Sequence, residues 1–537
     1  MRTNLLEALS DNIAIDNDKC IYCGVCVETC ILDNLRLKLA PCRQACPLGV
    51  NCQGYVQLIR RGRDEEALKI LEEKLPFPEI LSRLCSQPCE DHCHRKKIEG
   101  QAVNIRGLKR YLTERYERCE PAIPEPAVAT GKKVAIVGAG PAGLTAAHDL
   151  RRQGHGVVVF DGEGEPGGML RWAVPEFRLP GRILERELAR LSKMGVDFRC
   201  NMLLGRELSV AELMRDFDAV LIATGCSQPK TIGISGEDSP GVLHALPFLK
   251  SNRGGPPPSV GRRVAVIGGG DVAVDCAQTA RRRGAAEVVV ISLEEEAALP
   301  AHPNVVSGAK AEGIVFRGAW GPQAILAENG RIKGVQLKKC VSVFDANSNF
   351  MPVYDVCRMD FVEADTVIVA IGQQADLGCL VECRTASLKA VECEALTLQT
   401  ELVSVFVAGD VSTGPSSVVH AMASGRQAAE SIHRYLRGED LRFGRGYPGP
   451  YETGFAIDTS RASAAKRSEN PLGGFKGPGD FDEIEMPFSQ ESARREAERC
   501  YSCGEPFGKY RTCWFCLPCE VECPHDALWV EIPYLLR

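Results

Sequence analysis

Long apolar runs are absent from these 537 residues: no stretch reaches the roughly 18 apolar residues that a membrane-spanning helix needs. The start, MRTNLLEALSDNIAID, lacks the basic segment and apolar run of a signal peptide. Lys and Arg are spread along the chain and the formal net charge is −6, so no basic face for nucleic acid is indicated. We therefore expect a cytoplasmic protein that neither spans a membrane nor binds nucleic acid.

Cysteine is sparse in the middle of the chain and concentrated at its ends. Of 25 cysteines, ten lie before residue 94 and six after residue 499, which leaves nine between. A secreted disulfide protein is small and spreads its cysteines differently, so this distribution predicts a large intracellular chain with metal-binding ends. The nine central cysteines lack ligand spacing and are expected to be small packed residues.

The run CIYCGVCVETC (20–30) has the C-x2-C-x2-C-x3-C spacing of bacterial ferredoxins. Such a run normally has a twin nearby, because its fourth cysteine ligates the other cluster, yet the following ILDNLRLKLA contains no cysteine. The spacing returns near the C-terminus, preceded by an additional C-x2-C. The candidate ligands are Cys20, Cys23, Cys26 and Cys30 at one end, and Cys500, Cys503, Cys513, Cys516, Cys519 and Cys523 at the other.

Two arrangements of these ends remain open. Each run can form its own domain, since Ile31 replaces the expected proline and the additional C-x2-C can complete a C-terminal site. Alternatively, the two runs fold together as one split two-cluster unit, within one chain or between two protomers, and the Gly- and Pro-rich linker returns the C-terminus to the N-terminus. The sets expected for the split unit are Cys20, Cys23, Cys26 with Cys523, and Cys513, Cys516, Cys519 with Cys30.

The stretch KKVAIVGAGPAGLTAAHDLRRQGHGVVVFD combines a β-branched strand, a G-x-G-x-x-G turn, a helix and a second strand that ends in Asp161. Gly138 permits the tight turn, Gly140 lets a pyrophosphate approach the backbone, and Gly143 lets the helix pack on the strand. The helix N-terminus faces the phosphate, and the acid accepts from a ribose hydroxyl. Because all parts stand in register, this segment predicts dinucleotide binding.

A second copy follows in RRVAVIGGGDVAVDCAQTARRRGAAEVVVISLE, where Gly268 and Gly270 keep the spacing and Ala273 takes the third position. Two such units suggest two nucleotides, one donor and one acceptor of hydride. Three further strand-to-turn segments complete the pattern and end at Gly225, at Gly372, and at Gly409 with Asp410.

With these motifs in this order, the chain resembles the two-dinucleotide-binding flavoprotein family over about residues 41–440. The segment GEGEPGGMLRWAVPEFRLP (162–180), which contains Gly168, is similar to the glutamate synthase small-subunit branch, as in the N-terminal region of dihydropyrimidine dehydrogenase and the NADPH-binding subunit of bifurcating transhydrogenase. The resemblance implies FAD on a discontinuous outer domain and a nicotinamide nucleotide on an inserted one. It implies that Asp410 reaches the ribityl–phosphate part of FAD and that the helix near Val418 points at the flavin ring. The alternative for Asp410 is a helix cap.

The segments APCRQACPLGVNCQ and LCSQPCEDHCH flank a helical stretch and resemble the helical iron–sulfur domain of the same family. Cys85, Cys89 and Cys93 recur every fourth residue, which predicts that they lie on one side of a helical turn. The resemblance implies one cluster on Cys46, Cys85 and Cys89, and a second cluster that Cys42 and Cys93 help to hold.

Two departures leave both clusters short of ligands. The C-x2-C that the family carries just before Cys42 is missing, and Lys109 stands where some relatives place a Gln or Glu ligand. Lysine is a cation without an acceptor, so that cluster needs another ligand or is absent. Cys52 is a spare candidate, or else a packed core residue. Zinc is the rival metal for every group, although the tight ferredoxin spacing favours iron–sulfur clusters.

NADP-specific members of the branch usually carry two arginines just after the second strand of the inserted domain, because Arg offers a charged fork to the 2′-phosphate. This sequence has SLEEE there, beginning its acidic run at Glu294. Carboxylates repel a 2′-phosphate and accept from a free 2′-hydroxyl, so NAD(H) is favoured over NADP(H). Alternatively, the loop is merely solvated and distant basic residues bind NADP; the nearby Arg281–Arg283 are expected to form a solvated helix end.

The predicted fold is α/β, with two nested Rossmann-like domains, a helical iron–sulfur domain before them and ferredoxin-like segments at both termini. The expected boundaries are 1–40 and 41–125 for the iron–sulfur segments, 126–255 and 376–441 for FAD, 256–375 for NAD(P)H, 442–490 for an extended linker and 491–537 for the C-terminal iron–sulfur segment.

The predicted function is an oxidoreductase that passes electrons between NAD(P)H and three to four 4Fe–4S clusters through FAD. Ferredoxin or another redox-enzyme subunit is the expected partner, and an oligomer the expected state. No catalytic side chain is predicted, because hydride passes between cofactors. The alternatives are a glutamate synthase small subunit, which needs no extra ferredoxin runs, and a non-catalytic electron-wiring subunit with a degenerate nucleotide site.

Overall fold

The computed structural model describes residues 13–16, 18–31, 35–116, 126–254, 256, 258–378, 391–446, 449–460, 462–508, 513 and 516–531. Residues 1–12, on which the signal-peptide expectation rests, lie outside these ranges. Cys119, Cys379 and Cys383 also lie outside them. The chain divides into two compact units. Unit 1 comprises 1–122, 442–471 and 487–537, and unit 2 comprises 123–441 and 472–486.

The helices of the described residues are numbered in chain order. They are α1 (Val25–Glu28), α2 (Pro41–Gln44), α3 (Cys52–Arg60), α4 (Asp64–Lys74), α5 (Pro78–Leu84), α6 (Pro88–Asp91), α7 (His94–Glu99), α8 (Ile105–Tyr116), α9 (Pro141–Arg152), α10 (Met169–Trp172), α11 (Gly181–Lys193), α12 (Val210–Asp216), α13 (Ala245–Gly254), α14 (Asp271–Arg282), α15 (Pro303–Ala311), α16 (Asp410–Thr413), α17 (Val418–Arg437), α18 (Gln490–Ala497) and α19 (Pro518–Val521). Within the described ranges, none of them is both long and apolar enough to cross a membrane.

The strands are numbered in the same way. They are β1 (Ile13–Ile15), β2 (Leu35–Lys38), β3 (Lys133–Val137), β4 (Gly156–Phe160), β5 (Val196–Arg199), β6 (Ala219–Ile222), β7 (Gln228–Pro229), β8 (Val242–His244), β9 (Arg263–Ile267), β10 (Glu287–Ile291), β11 (Val315–Arg317), β12 (Trp320–Glu328), β13 (Arg331–Phe344), β14 (Phe350–Glu363), β15 (Thr366–Val369), β16 (Gln373–Gln374), β17 (Val405–Val407), β18 (Tyr451–Glu452), β19 (Pro506–Gly508) and β20 (Leu528–Val530).

In unit 1, the two ends of the chain form common sheets. Strand β1 pairs antiparallel with β20, with Ile13 opposite Val530. Strand β2 lies between β18, to which it is parallel, and β19, to which it is antiparallel. Alternate residues of β2 are buried, and its leucines join Leu528 and Val530 in one apolar cluster. Each end therefore supplies half of a core that neither half contains alone.

The helical part of unit 1 surrounds α3. Helix α3 is buried over almost its whole length, and α4, α8 and α18 pack against it. It is capped by Asn51, whose side chain accepts a hydrogen bond from the backbone N–H of Gly54 and so fixes the helix start.

Unit 2 contains two parallel sheets of five strands, in the orders β17-β6-β3-β4-β5 and β11-β10-β9-β15-β8. The central strands β3 and β9 are apolar and buried, as expected for parallel strands covered on both faces. Strands β8 to β15 form the second sheet and an antiparallel sheet, β12-β13-β14, before the chain returns to the first sheet at β17. The second domain is thus inserted into the first, which confirms the predicted nested α/β fold.

Three local expectations are wrong in part. Cys85, Cys89 and Cys93 do not share one helical turn, because Cys85 ends α5 in an extended conformation and Cys93 precedes α7. The linker 442–490 is mostly irregular but includes β18 and is divided between both units. Among the central cysteines, Cys226, Cys276 and Cys340 are buried as packed residues, whereas Cys200 and Cys393 are only partly buried and Cys357 is exposed.

Candidate functional site

The first glycine turn, between β3 and α9, is closely packed everywhere except at Gly140. Gly138 has a φ of +110°, and a Cβ there would lie 2.3 Å from the carbonyl oxygen of Ala223. A Cβ on Gly143 would lie 2.0 Å from the carbonyl oxygen of Gly138, so only glycine fits at either position. Around a Cβ on Gly140, at the start of α9, nothing lies within 4 Å. This open space at a helix N-terminus fits a phosphate group.

Gly168 lies against the same turn. It precedes α10 with a φ of +52°, and a Cβ on it would lie 2.7 Å from the Cα of Gly140. The backbone N–H of Gly167 donates to the carbonyl of Ala139 at 3.0 Å. The segment that carries the family resemblance therefore forms one wall of the cradle.

Asp161 follows β4 and is bonded to the glycine turn. Its Oδ2 accepts from the backbone N–H of Ala139 at 2.7 Å, and its Oδ1 accepts from that of Glu163 at 2.9 Å. Burial raises the pKa of this carboxyl. The side chain thus fixes the shape of the turn, while its bond to a ribose hydroxyl stays a prediction.

The late AGD segment meets the first sheet. Gly409 has a φ of +75° and donates its N–H to Ser424 Oγ at 3.0 Å. Asp410 begins α16, and its Oδ1 accepts from both the N–H and the hydroxyl of Ser416, at 3.2 and 2.8 Å. Burial raises the pKa of Asp410. Its carboxylate therefore orders the turn that leads into α17, which begins at Val418.

Gly225, in the segment after β6, has a φ of +68° and open space around its Cβ position. The thiol of the next residue, Cys226, donates to the carbonyl of Asp410 at 3.3 Å. The two segments that the sequence singled out at the ends of β6 and β17 are therefore in contact, because these strands are neighbours in the sheet.

The second glycine turn, between β9 and α14, repeats the geometry of the first. Gly268 has a φ of +143°, and a Cβ there would lie 2.3 Å from the carbonyl of Ala370. Gly270 precedes α14 with open space around its Cβ position, and Ala273 is fully buried. Gly372 follows β15 with a φ of +109°. This second cradle again fits a phosphate at a helix N-terminus.

Glu294 lies directly over this second turn. A Cβ placed on Gly269 would be 2.9 Å from its Oε2 atom. The next two glutamates are exposed, and Glu296 forms an ion pair with Lys310. Of the three carboxylates, Glu294 is thus the one positioned beside the cradle.

The expected solvated helix end at Arg281–Arg283 is wrong for its central residue. Arg282 is buried, forms an ion pair with Glu312 and lies with its guanidinium carbon 4.2 Å from the Phe177 ring centroid. It is a structural residue of unit 2.

An ion pair that the sequence did not indicate joins the two dinucleotide folds. Arg178, in the PEFRLP segment, donates to Asp275 of α14 at 2.9 Å. Burial raises the pKa of Asp275 to about 6 against the opposing charge of Arg178. Arg and Asp are common on protein surfaces, so their presence in the sequence did not predict an ion pair. Their burial in the structure distinguishes this pair from surface ion pairs.

The two ferredoxin-like runs lie together in unit 1. One cavity is lined by Cys20, Cys23, Cys26 and Cys523. The other four thiols of the two runs also meet, since Cys519 is close to Cys30, Cys513 and Cys516. Helix α1 contains Cys26 and α19 contains Cys519, so the halves follow one plan of strand, cysteines, short helix and strand.

The additional C-x2-C at Cys500 and Cys503 lies elsewhere in unit 1. These two thiols line a cavity together with Cys42, Cys52 and Cys93. They therefore lie beside Cys42, where the sequence lacks the expected C-x2-C, and not with the C-terminal run. The network around Arg499 anchors them: it forms an ion pair with Glu496 at 2.7 Å and donates to the carbonyl of Ala102 at 2.9 Å.

The remaining terminal cysteines form a fourth group. The thiol of Cys52 is in hydrogen-bonding contact with Cys42, Cys46 and Cys89, and Cys89 is close to Cys85. The pKa of Cys46 is lowered to about 6, chiefly by its hydrogen bond with Cys52. Cys52, which the sequence left open, is therefore a member of a thiol cluster.

Backbone amides point at several of these sulfurs. The N–H groups of Tyr22 and Ser502 donate to Cys20 and Cys500, each at 3.4 Å, and that of Ala527 donates to Cys523 at 3.3 Å. Burial raises the pKa of Cys20 to about 11, so a thiolate there needs a metal or another cation. The C-x2-C-x2-C-x3-C spacing of the two runs is that of iron–sulfur ligands.

Two glycine cradles on nested parallel sheets, together with grouped cysteines, define an iron–sulfur flavoprotein oxidoreductase that uses a nicotinamide nucleotide. The sequence profile described as pyridine nucleotide-disulphide oxidoreductase matches residues 132–425, and the chain belongs to this family. A second profile, dihydropyrimidine dehydrogenase domain II with a 4Fe–4S cluster, matches residues 6–120.

Known proteins with these features are similar over most of the chain. NADP(+)-dependent formate dehydrogenase subunit beta of Moorella thermoacetica is 36% identical over 86% of this chain and 70% of its own length. NADPH-Fe(3+) oxidoreductase subunit beta of Geobacter sulfurreducens is 32% identical over 86% of this chain and 75% of its own. The glutamate synthase [NADPH] small chain of Halomonas elongata is 34% identical over 74% and 88%. The predicted resemblance is confirmed.

Proposed function

We propose that this chain passes electrons between NADH and four 4Fe–4S clusters through one FAD, as a subunit of a larger redox complex or with ferredoxin as its partner. The observation that carries the proposal is that the sixteen terminal cysteines lie close to one another in four groups. FAD supplies the chemistry, since it exchanges a hydride with nicotinamide and single electrons with clusters.

The chain's own residues bind and orient these groups. The cradle at Gly140 would hold the FAD pyrophosphate, with Gly168 as its wall and Asp161 as the support of the turn. The ordered turn after Asp410 and the start of α17 at Val418 would lie toward the flavin. The cradle at Gly270 would hold the nicotinamide nucleotide.

Each cysteine group would hold one cluster. The amides that point at Cys20, Cys500 and Cys523 would stabilise the thiolates and raise the reduction potentials, because hydrogen bonds to sulfur favour the more negative state. The proposed ligand sets are Cys20, Cys23, Cys26 and Cys523; Cys30, Cys513, Cys516 and Cys519; Cys42, Cys93, Cys500 and Cys503; and a set that includes Cys46, Cys85 and Cys89.

The choice of NADH rests on Glu294, whose carboxylate lies over the second cradle. A 2′-phosphate beside it would be repelled, and a 2′-hydroxyl would be accepted. The relatives named above act with NADP(H). On this proposal, the chain differs from these relatives in the group that it binds at the nucleotide ribose, a 2′-hydroxyl instead of a 2′-phosphate.

The partner proposal rests on two observations. The formate dehydrogenase and Fe(3+) oxidoreductase relatives are named as subunits. The chain also carries ferredoxin-like cysteine runs at both ends, which a glutamate synthase small subunit does not need. Clusters bound by these cysteine runs would exchange single electrons, so the expected partner is a protein that accepts or donates single electrons.

Anaerobic stopped-flow absorbance tests the whole route. NADH is expected to bleach the flavin, with kcat/KM at least tenfold above that for NADPH, and EPR is expected to show reduced clusters afterwards. A tenfold preference for NADPH would refute the nucleotide proposal alone. Failure of both nucleotides to bleach the flavin would refute the route and favour a wiring subunit with a degenerate nucleotide site.

A further inference from the structure

Cys52 is the first residue of α3 and is only 4% exposed. Its thiol contacts three other thiols, those of Cys42, Cys46 and Cys89. A single packed cysteine would normally lie among apolar side chains. A thiol surrounded by thiols instead indicates a member of a ligand set.

We propose that Cys52 is the fourth ligand of the cluster held by Cys46, Cys85 and Cys89, so that this site is coordinated by four cysteines. The inference rests on the proposed iron–sulfur function and adds a ligand to it. Cys52 also lines the cavity of Cys42, Cys93, Cys500 and Cys503, but those four cysteines already supply the four ligands that one cluster needs. Only the group of Cys46, Cys85 and Cys89 lacks a member.

The backbone holds Cys52 in place on both sides. The preceding residue, Asn51, accepts from Gly54 N–H at 3.0 Å and donates from Nδ2 to the carbonyl of Ile21 at 2.8 Å. The N–H of Cys52 itself donates to the carbonyl of Val50 at 2.8 Å. Because the start of α3 is fixed by these bonds, the Cys52 side chain is directed toward its neighbours before any cluster is present.

The positive charge of Lys109 is consistent with Cys52 of α3 as the fourth cluster ligand. Lys109 lies on α8, where the family resemblance implies a Gln or Glu ligand, and is only 8% exposed. Its charge acts on the Cys46 thiol. A fourth thiolate adds one negative charge relative to an amide ligand, and a buried cation needs a compensating negative charge. On this proposal, the fourth ligand lies on α3 and Lys109 offsets its charge.

The first test compares Cys52→Val, which preserves apolar packing, with Cys52→Ala. The control is Cys340→Val, which removes a buried thiol in unit 2. Iron and acid-labile sulfide per FAD and the EPR spectrum of the reduced protein are measured. Both Cys52 variants are expected to lose up to about four irons or to retain a three-iron cluster, while the control keeps the wild-type content. Full iron and an unchanged spectrum in both Cys52 variants would overturn the proposal.

The second test is rescue. Lys109→Gln in the Cys52→Ala background returns an amide to the position from which relatives bind, and is expected to restore the lost iron. Loss of iron in Cys52→Ala but full iron in Cys52→Val would assign Cys52 a packing role and overturn the proposal. A wild-type protein without iron would instead refute the proposed function itself, so the two failures are distinguishable.

Lys109→Gln alone gives a readout that is independent of cluster content. With Cys52 in place, this variant is expected to keep its iron, while the reduction potential of one cluster becomes more negative because a nearby cation is lost. An unchanged set of potentials in a redox titration would contradict the role of Lys109 as the compensating charge.

Discussion

Replacing cysteines in pairs will show whether the two ends of the chain share clusters. Cys20 and Cys30 belong to the same run of the sequence but to different groups in the structure. Cys20 and Cys523 lie near opposite ends of the chain but line the same cavity. Two double variants therefore give opposite results under the two arrangements.

With shared clusters, Cys20→Ala combined with Cys523→Ala removes ligands from one group and is expected to lose about four irons, no more than either single variant. Cys20→Ala combined with Cys30→Ala removes ligands from two groups and is expected to lose about eight. Independent end domains predict the reverse: about eight irons for the first pair and about four for the second.

The protein is expected to remain folded during this test, because the shared apolar core does not depend on one cluster. Leu35, Leu37, Leu528 and Val530 are each 7% exposed or less. At about 1.5–3 kcal/mol for each buried side chain, the four contribute roughly 6–12 kcal/mol as an upper bound. The pairing of β1 with β20 adds backbone hydrogen bonds to this core.

Iron and acid-labile sulfide per FAD, with EPR of the reduced protein, provide the assay. Cys340→Ala serves as the control, since it removes a buried thiol from unit 2. A loss of about eight irons from the Cys20 and Cys523 pair, with about four from the Cys20 and Cys30 pair, would refute the split arrangement.

Three further predictions concern unit 2. Gly140→Val is expected to fold, because its surroundings are open, but to lose FAD from absorbance spectra, because the side chain would strike the pyrophosphate; stoichiometric FAD would contradict this. Glu294→Arg is expected to move the kcat/KM ratio toward NADPH by about 1–2 kcal/mol, and an unchanged ratio would remove Glu294 from the ribose site. Burial, followed by the neighbouring charge of His433, lowers the pKa of His155 to about 4. The folded state then binds fewer protons than the unfolded state, so stability is expected to fall as pH drops from about 6.5 toward 4. His155→Gln should flatten this dependence of Tm on pH, and an equally steep dependence would contradict the assignment.

The nucleotide sites could be predicted from the sequence because their geometry is local. A strand, a glycine turn and a helix lie within one short segment, and Gly138 and Gly268 each have the positive φ that favours glycine. Apolar β-branched runs likewise predicted the buried parallel strands. Predicting the outer sheet also required the inference that the chain returns to it at β17. The order of the motifs along the sequence supported that inference.

The cysteine spacing alone predicted iron–sulfur ligands at both ends, but the tertiary structure decided which thiols meet. Spacing reports only on neighbours along one turn, and Cys500 and Cys503 reach Cys42 and Cys93 across most of the chain through a buried network around Arg499. The same holds for Cys52, whose sequence neighbours give no ligand pattern. Its partners follow from the packing of α3 against the helices around it, and that packing depends on apolar burial contributed by distant segments.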